Sequence, residues 1–196
     1  MKFKIIIGWL ALGMTLISHG QEKGFPIRLL VGNEATAVPY TSIWSRPVHP
    51  TFQLGTEFRY NSNPKHYLYQ TINLGYMYHK NLFQGGYLNT ELGYDYRLGL
   101  GLNLKALFGV GYLHTLTTNE EYQFEEGQYN KESDLGNSRI MPSLSVGLGF
   151  RTNMKKLNSP ELILIYRSWV EFPYSPGFIS LMSHTDLSIG MKIYIN

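Results

Sequence analysis

The residues from Gly86 to Thr115 constrain the fold more than any other stretch, because side-chain character switches with a period of two along nearly their whole length. Leu88, Thr90, Leu92, Tyr94 and Tyr96 fall on one side of an extended chain, and Tyr87, Asn89, Glu91, Gly93, Asp95 and Arg97 on the other. After a short break containing Gly99 and Gly101, Leu102, Leu104, Ala106, Phe108, Val110 and Tyr112 oppose Asn103, Lys105, Leu107, Gly109 and Gly111. This is a hairpin with one apolar face and one face of charge and glycine. A helix would scatter the same residues around its axis.

The alternation recurs along the chain and predicts eight strands, over 27–33, 51–60, 66–79, 86–97, 102–115, 138–152, 161–172 and from 184 to the end. Pro39, Pro47 and Pro50 mark 34–50 as a connection, since proline lacks the donor that a central strand needs. The segment 116–137 carries Glu120, Glu121, Glu125, Glu126, Glu132 and Asp134 and reads as a long polar loop, with a small hairpin of its own around Tyr122 and Tyr129. Connections alternate in length. Three of the four at one end (34–50, 80–85, 116–137, 173–183) are longer than any at the other (61–65, 98–101, 153–160).

A soluble barrel of the lipocalin kind and a membrane barrel both need a charge-free strand face, so the remaining features decide between them. The apolar face holds no Asp, Glu, Lys, Arg or His within the strand cores. Gly32, Gly55, Gly75, Gly93, Gly109, Gly111, Gly147, Gly149 and Gly190 all lie on the opposite, polar face. Glycine weakens a strand, so its placement there points to crowding in a narrow interior and not to a solvated surface. Aromatic residues gather at the two ends of the apolar face: Tyr60, Tyr94, Tyr96 and Phe150 at one, Tyr76, Tyr78, Tyr112 and Phe172 at the other. Such paired girdles mark the two edges of a lipid layer.

The N-terminus agrees with export. Lys2 and Lys4, an apolar run over 5–17, and the small residues Ser18 and Gly20 form the three parts of a secretory signal, with cleavage expected before Gln21. That gives a signal peptide over 1–20 and one barrel domain over 21–196. With no cysteine, the chain has no disulfide framework and no cysteine chemistry. Without the two signal lysines the formal charge falls from +3 to +1, which argues against nucleic acid as a partner.

These features resemble the small eight-stranded outer-membrane β-barrel proteins of Gram-negative bacteria, the OmpA transmembrane domain and OmpX type, over about 27–196. The resemblance rests on the signal peptide, the alternating strands, the short turns at one end and a final strand running to the C-terminus. The segments His49-Pro50, Thr90-Glu91-Leu92-Gly93-Tyr94 and Gly111-Tyr112-Leu113-His114 look like those of uncharacterised outer-membrane barrels. Those barrels commonly end in an aromatic residue, where this chain ends Tyr194-Ile195-Asn196. The resemblance implies an all-β fold, an eight-stranded antiparallel transmembrane up-and-down β-barrel in the outer membrane with both termini periplasmic. Its partners are then outer-membrane lipid and lipopolysaccharide, with loop 116–137 open to an extracellular partner and the barrel monomeric.

On the polar face Arg28, Arg59, Arg97, Lys105, Arg151, Arg167 and Lys192 meet Glu57, Glu91, Asp95, Glu171 and Asp186. Glu57, Glu91 and Asp95 are each expected to find a lysine or arginine on a neighbouring strand. Pairing of this kind makes a plugged lumen and a structural or interaction role. The two surplus positive charges favour the alternative of a narrow, gated, weakly anion-preferring channel.

His49, His79 and His184 point inward near the mouth, with Glu171 and Asp186 at similar depth. The strands between His79 and His184 keep these two from sharing an ion, and a rim of satisfied polar residues is the reading adopted, with no metal, cofactor or catalytic residue assigned. A second alternative is a lipid A-modifying enzyme of the acyl hydrolase or transferase type. It would need a serine on the lipid side activated by histidine, for which Ser168 and His114 are the residues available.

Overall fold

The computed structural model describes residues 24–119, 122–125, 127–131, 135–153, 159–175 and 177–195; the expected signal peptide lies outside them. The strands are β1 (Phe25–Ala35), β2 (Pro50–Arg59), β3 (His66–Tyr78), β4 (Phe83–Arg97), β5 (Leu102–Thr117), β6 (Tyr122–Glu125), β7 (Gln128–Lys131), β8 (Asn137–Arg151), β9 (Glu161–Glu171) and β10 (Met182–Ile195). Eight of them close a barrel in the order β1-β2-β3-β4-β5-β8-β9-β10, and β6 and β7 form a separate hairpin inside the long acidic connection. Every neighbouring pair is antiparallel, including β10 with β1, whose register runs from Phe25↔Ile195 to Ala35↔Thr185. Closure leaves no strand edge in the barrel wall, as a lipid surround requires.

The alternation sets which face is buried. Leu29, Val31, Phe52, Leu54, Leu74, Leu88, Phe108, Val110, Leu144, Leu164 and Ile189 point outward and are exposed, with Leu74 at 61% and Phe108 at 68%. Their neighbours in sequence point inward, and most are buried. An apolar belt around a whole barrel far exceeds the patches of a few hundred Å² found on soluble monomers. The aromatic residues sit at its edges as expected: Tyr60, Tyr94, Tyr96 and Phe150 at the short-turn end, Tyr76, Tyr78, Tyr112 and Phe172 at the other, all exposed.

Crowding explains the inward glycines. The ring of Tyr87 lies across Gly75 and the ring of Tyr69 across Gly93, where a Cβ would overlap ring atoms. Outward Gly86, by contrast, has only a carbonyl oxygen at 4.0 Å from the same position.

Strands β1, β2, β4, β5, β8 and β10 run past their expected ends, and β1 and β2 do so at the mouth. β1 continues through Glu34 and Ala35, because these pair with Asp186 and Thr185 on β10 while the Glu34 N–H donates to the His49 carbonyl at 2.8 Å. Pro50 opens β2 opposite Asn33, a strand-initial place that proline tolerates, so the connection is shorter than its three prolines suggested. Ile163 and Ile165, which blur the alternation of β9, both face inward. They join Leu30, Tyr67, Tyr69 and Leu107 in an apolar layer, and Met77, Phe83, Tyr87, Leu113, Met141 and Trp169 form another nearer the mouth. The interior is therefore layered, apolar between polar, and not polar throughout.

Candidate functional site

The inward positions of five strands bring together an alternating line of charge. Asp95 on β4 meets Lys105 on β5 at 2.5 Å, and Lys105 meets Glu161 on β9 at 2.7 Å. Glu161 meets Lys192 on β10 at 2.9 Å, and Lys192 meets Glu57 on β2 at 2.6 Å. All five are buried. Each acid has a further donor: Tyr69 OH to Asp95 at 2.8 Å, Asn103 Nδ2 to Glu161 at 2.9 Å and Tyr67 OH to Glu57 at 2.9 Å. Burying an ion costs several kcal/mol unless neighbours of opposite sign and hydrogen bonds offset it, and both are present here. Gly149 makes the line possible, since a Cβ there would strike Glu161 and Lys105.

Below this line, towards the short turns, Arg97 lies 4.6 Å and Arg59 5.1 Å from the centre of the Tyr67 ring. Arg97 and Arg151 are buried there, whereas Arg59 is half-buried. Above it, Arg167 donates to Gln53 at 2.8 Å, Tyr87 at 2.9 Å and Asp186 at 3.0 Å, and Asp186 also accepts from Thr51 at 3.0 Å and from Ser188. Arg28 sits within the field of Glu57, Glu91 and Asp95.

Two expectations need correction. Glu91 makes no ion pair among the described residues and is held instead by Asn73 Nδ2 and Ser145 Oγ, each at 3.3 Å. The reason is register: its cross-strand neighbours are Thr71 and Gly109, neither of which carries charge. Next, Glu34 and Glu161 are also buried in the lumen while Arg139 joins the cations, so the surplus falls from two to one and the charge argument for an anion-preferring channel weakens. Asp186, in register with Glu34 on β1, is bound to Arg167.

At the mouth the three expected histidines gather around a residue that the sequence reading placed in a loop. Glu34 Oε1 is 2.7 Å from His184 Nδ1, and His184 Nε2 is 3.3 Å from Glu171, which pairs with Arg139. The His184 ring stacks on Trp169 at 4.1 Å and 9°. On the other side of the same carboxylate, His49 Nδ1 is 3.8 Å from Glu34 Oε2, and the His49 and His79 rings are 3.5 Å apart. Donor atoms of Glu34, His49 and His79 all lie within 4.8 Å of one another. Partial burial first, and the neighbouring His49 second, hold the His79 imidazole below its ordinary pKa and so neutral. His79, just past β3, and His184, on β10, approach Glu34 from different sides.

Glu34, Glu161 and Arg139 were missed as site residues. Parity alone places Glu161 with Arg167 and Arg139 with Arg151; Glu34 required the true end of β1. Ser168 and His114 are not brought together. Their cross-strand neighbours on β8, Leu144 and Ser138, are six residues apart, or about 20 Å at roughly 3.4 Å per residue. His114 instead approaches Ser138 Oγ at 3.5 Å, and no carboxylate is among its described contacts.

An eight-stranded antiparallel barrel, apolar outside between aromatic rims and tightly filled inside, has the architecture of the small outer-membrane barrels. Among solved structures the fold is that of Neisserial surface protein A, with a TM-score of 0.60 and 11% identity over 87% of this chain and 97% of that one. The outer membrane enzyme PagL (TM-score 0.49, 13% identity, 87% and 99% covered) and the N-terminal β-barrel domain of Pseudomonas aeruginosa OprF (0.45, 10%, 88% and 100%) are similar to a lesser degree. At such identities the likeness is one of fold alone. No protein-family model and no curated protein sequence matches the chain.

Proposed function

We propose that the protein is a non-conducting outer-membrane barrel with a structural or interaction role, its short turns and termini in the periplasm and its long connections outside the cell. The observation that carries this reading is the filled lumen. Charged, hydrogen-bonded and apolar layers succeed one another from the arginines at the short-turn end to Trp169 and His184 at the mouth. A cavity bordered by Gln53, Glu91 and Arg167 has a volume of only about 10 Å³, room for one water at most. The surfaces offered to partners are then the apolar belt, which fits lipid and lipopolysaccharide acyl chains, and the outer connections, among them 116–137.

Separation of inner and outer membranes, followed by gels of unheated and heated samples, tests the placement. A heat-modifiable band in the outer membrane is expected, together with protease cleavage in intact cells within 36–49 or 116–137. A mature protein soluble in the periplasm overturns the reading in favour of a soluble barrel.

A further inference from the structure

We infer that Glu34, His49 and His79 form a binding site for a borderline divalent transition-metal ion of the zinc class at the mouth of the barrel. Two imidazoles and one carboxylate from three separate segments converge there, with donor atoms within 4.8 Å of one another. Glu34 is the last residue but one of β1, His49 immediately precedes β2 and His79 immediately follows β3, so the ligands come from the adjoining ends of three neighbouring strands. Backbone hydrogen bonds hold all three in place: Glu34 N–H to the His49 carbonyl and His79 N–H to the Phe83 carbonyl, both at 2.8 Å.

Glu34 supplies the independent sign of a ligand. Its side chain is buried, and the two carboxylate oxygens are treated differently. Oε1 is fixed by His184, itself clamped between Glu171 and the Trp169 ring, whereas Oε2 is buried without a hydrogen-bond donor. A buried carboxylate oxygen rarely lacks a partner. Arg139 is engaged by Glu171 and does not supply one. The orphaned oxygen faces His49, and His79, half-buried and outside the strands, forms the side open to solvent. His184 thus orients the carboxylate while leaving one oxygen for an ion, the arrangement by which outer hydrogen bonds position metal ligands.

The donor set selects the ion. Two nitrogens and one carboxylate oxygen suit zinc and its neighbours, whereas calcium and magnesium require oxygen ligands in larger number. Two neutral imidazoles and one carboxylate leave a bound dication with a single positive charge, and the fourth position of a tetrahedral ion faces His79's open side. Tetrahedral bonds of about 2.0–2.2 Å place ligand atoms about 3.4 Å apart, so the donors close by about 1 Å. The two rings, now 3.5 Å apart, splay to about 5 Å when both bind one ion. Bound metal would staple the 36–49 connection to the β3–β4 turn.

The test is titration of the untagged protein, folded in detergent micelles, with Zn(II) by calorimetry and with Co(II) by visible absorption. One ion per chain is expected at micromolar affinity or tighter, with tetrahedral Co(II) bands, a raised unfolding temperature and no competition from Mg(II) or Ca(II). His79→Gln, outside the strands, should abolish the Co(II) bands, His49→Gln should weaken binding by about tenfold or more, and His66→Gln at the opposite end should change neither. Heat-modifiability confirms that each variant is folded. The inference is overturned if the wild type takes up no Zn(II), or if folded His49→Gln and His79→Gln bind it as the wild type does.

Discussion

Replacing Lys192 by Met probes the charged line at a cation that joins two acids. The ammonium lies 2.6 Å from Glu57 and 2.9 Å from Glu161 and is sealed from solvent. Methionine keeps the aliphatic stem and its packing, so the change removes charge without opening a large cavity. Removing one partner of a buried pair costs about 3–5 kcal/mol, because the charge left behind stays desolvated. Two acids lose their shared partner here, but Glu161 keeps Lys105 and Asn103, Glu57 keeps Tyr67, and either carboxyl can take up a proton. The single-pair figure is therefore the appropriate one. At about 2–4 °C per kcal/mol for a domain of this size, the unfolding temperature should fall by about 6–20 °C. Thermal unfolding in micelles, followed by circular dichroism and by loss of the fast-migrating gel band, measures it. The double variant Glu57→Gln/Lys192→Met should be more stable than the sum of the two single losses implies, with a coupling of about 0.5–3 kcal/mol. A drop below about 2 °C for Lys192→Met, or strict additivity, would refute the reasoning.

The inward glycines give a matched comparison: Gly75→Ala should destabilise by about 1–3 kcal/mol through overlap with the Tyr87 ring, while Gly86→Ala, pointing outward from the next strand, should leave the unfolding temperature unchanged. The lipid-facing belt predicts that Leu74→Arg lowers folding stability in bilayers by about 2–4 kcal/mol, whereas Leu100→Arg, in the exposed short turn, has no such effect in the same vesicle-folding assay. Trp169 is sealed and stacked on His184 while Trp44 is exposed, so acrylamide should quench the fluorescence of Trp169→Phe far more readily than that of Trp44→Phe. Equal quenching of the two would place Trp169 outside the packed mouth.

Period-two alternation made the barrel legible because each strand has unlike environments on its two sides. Inward residues such as Arg28, Lys105 and Arg167 followed from parity alone. Partnership did not, because it depends on register between strands far apart in sequence. Lys192 reaches Glu57 across β1, and Glu161 becomes the hub of the charged line only once β9 is set against β8 and β10. Glu91 shows the converse: an inward acid whose neighbours in register happen to be Thr71 and Gly109. The mouth was read by its histidines and not by Glu34, since prolines nearby suggested a loop where pairing with Asp186 and the hydrogen bond to His49 extend β1. Strand ends are decided by such tertiary contacts, which leave little trace in local composition.

Planar-bilayer recording of the purified, folded barrel tests the packed lumen most directly. With the Asp95-Lys105-Glu161-Lys192-Glu57 line and two apolar layers spanning the interior, absent or small, flickering currents are expected. A stable conductance comparable to that of a sixteen-stranded porin would contradict it.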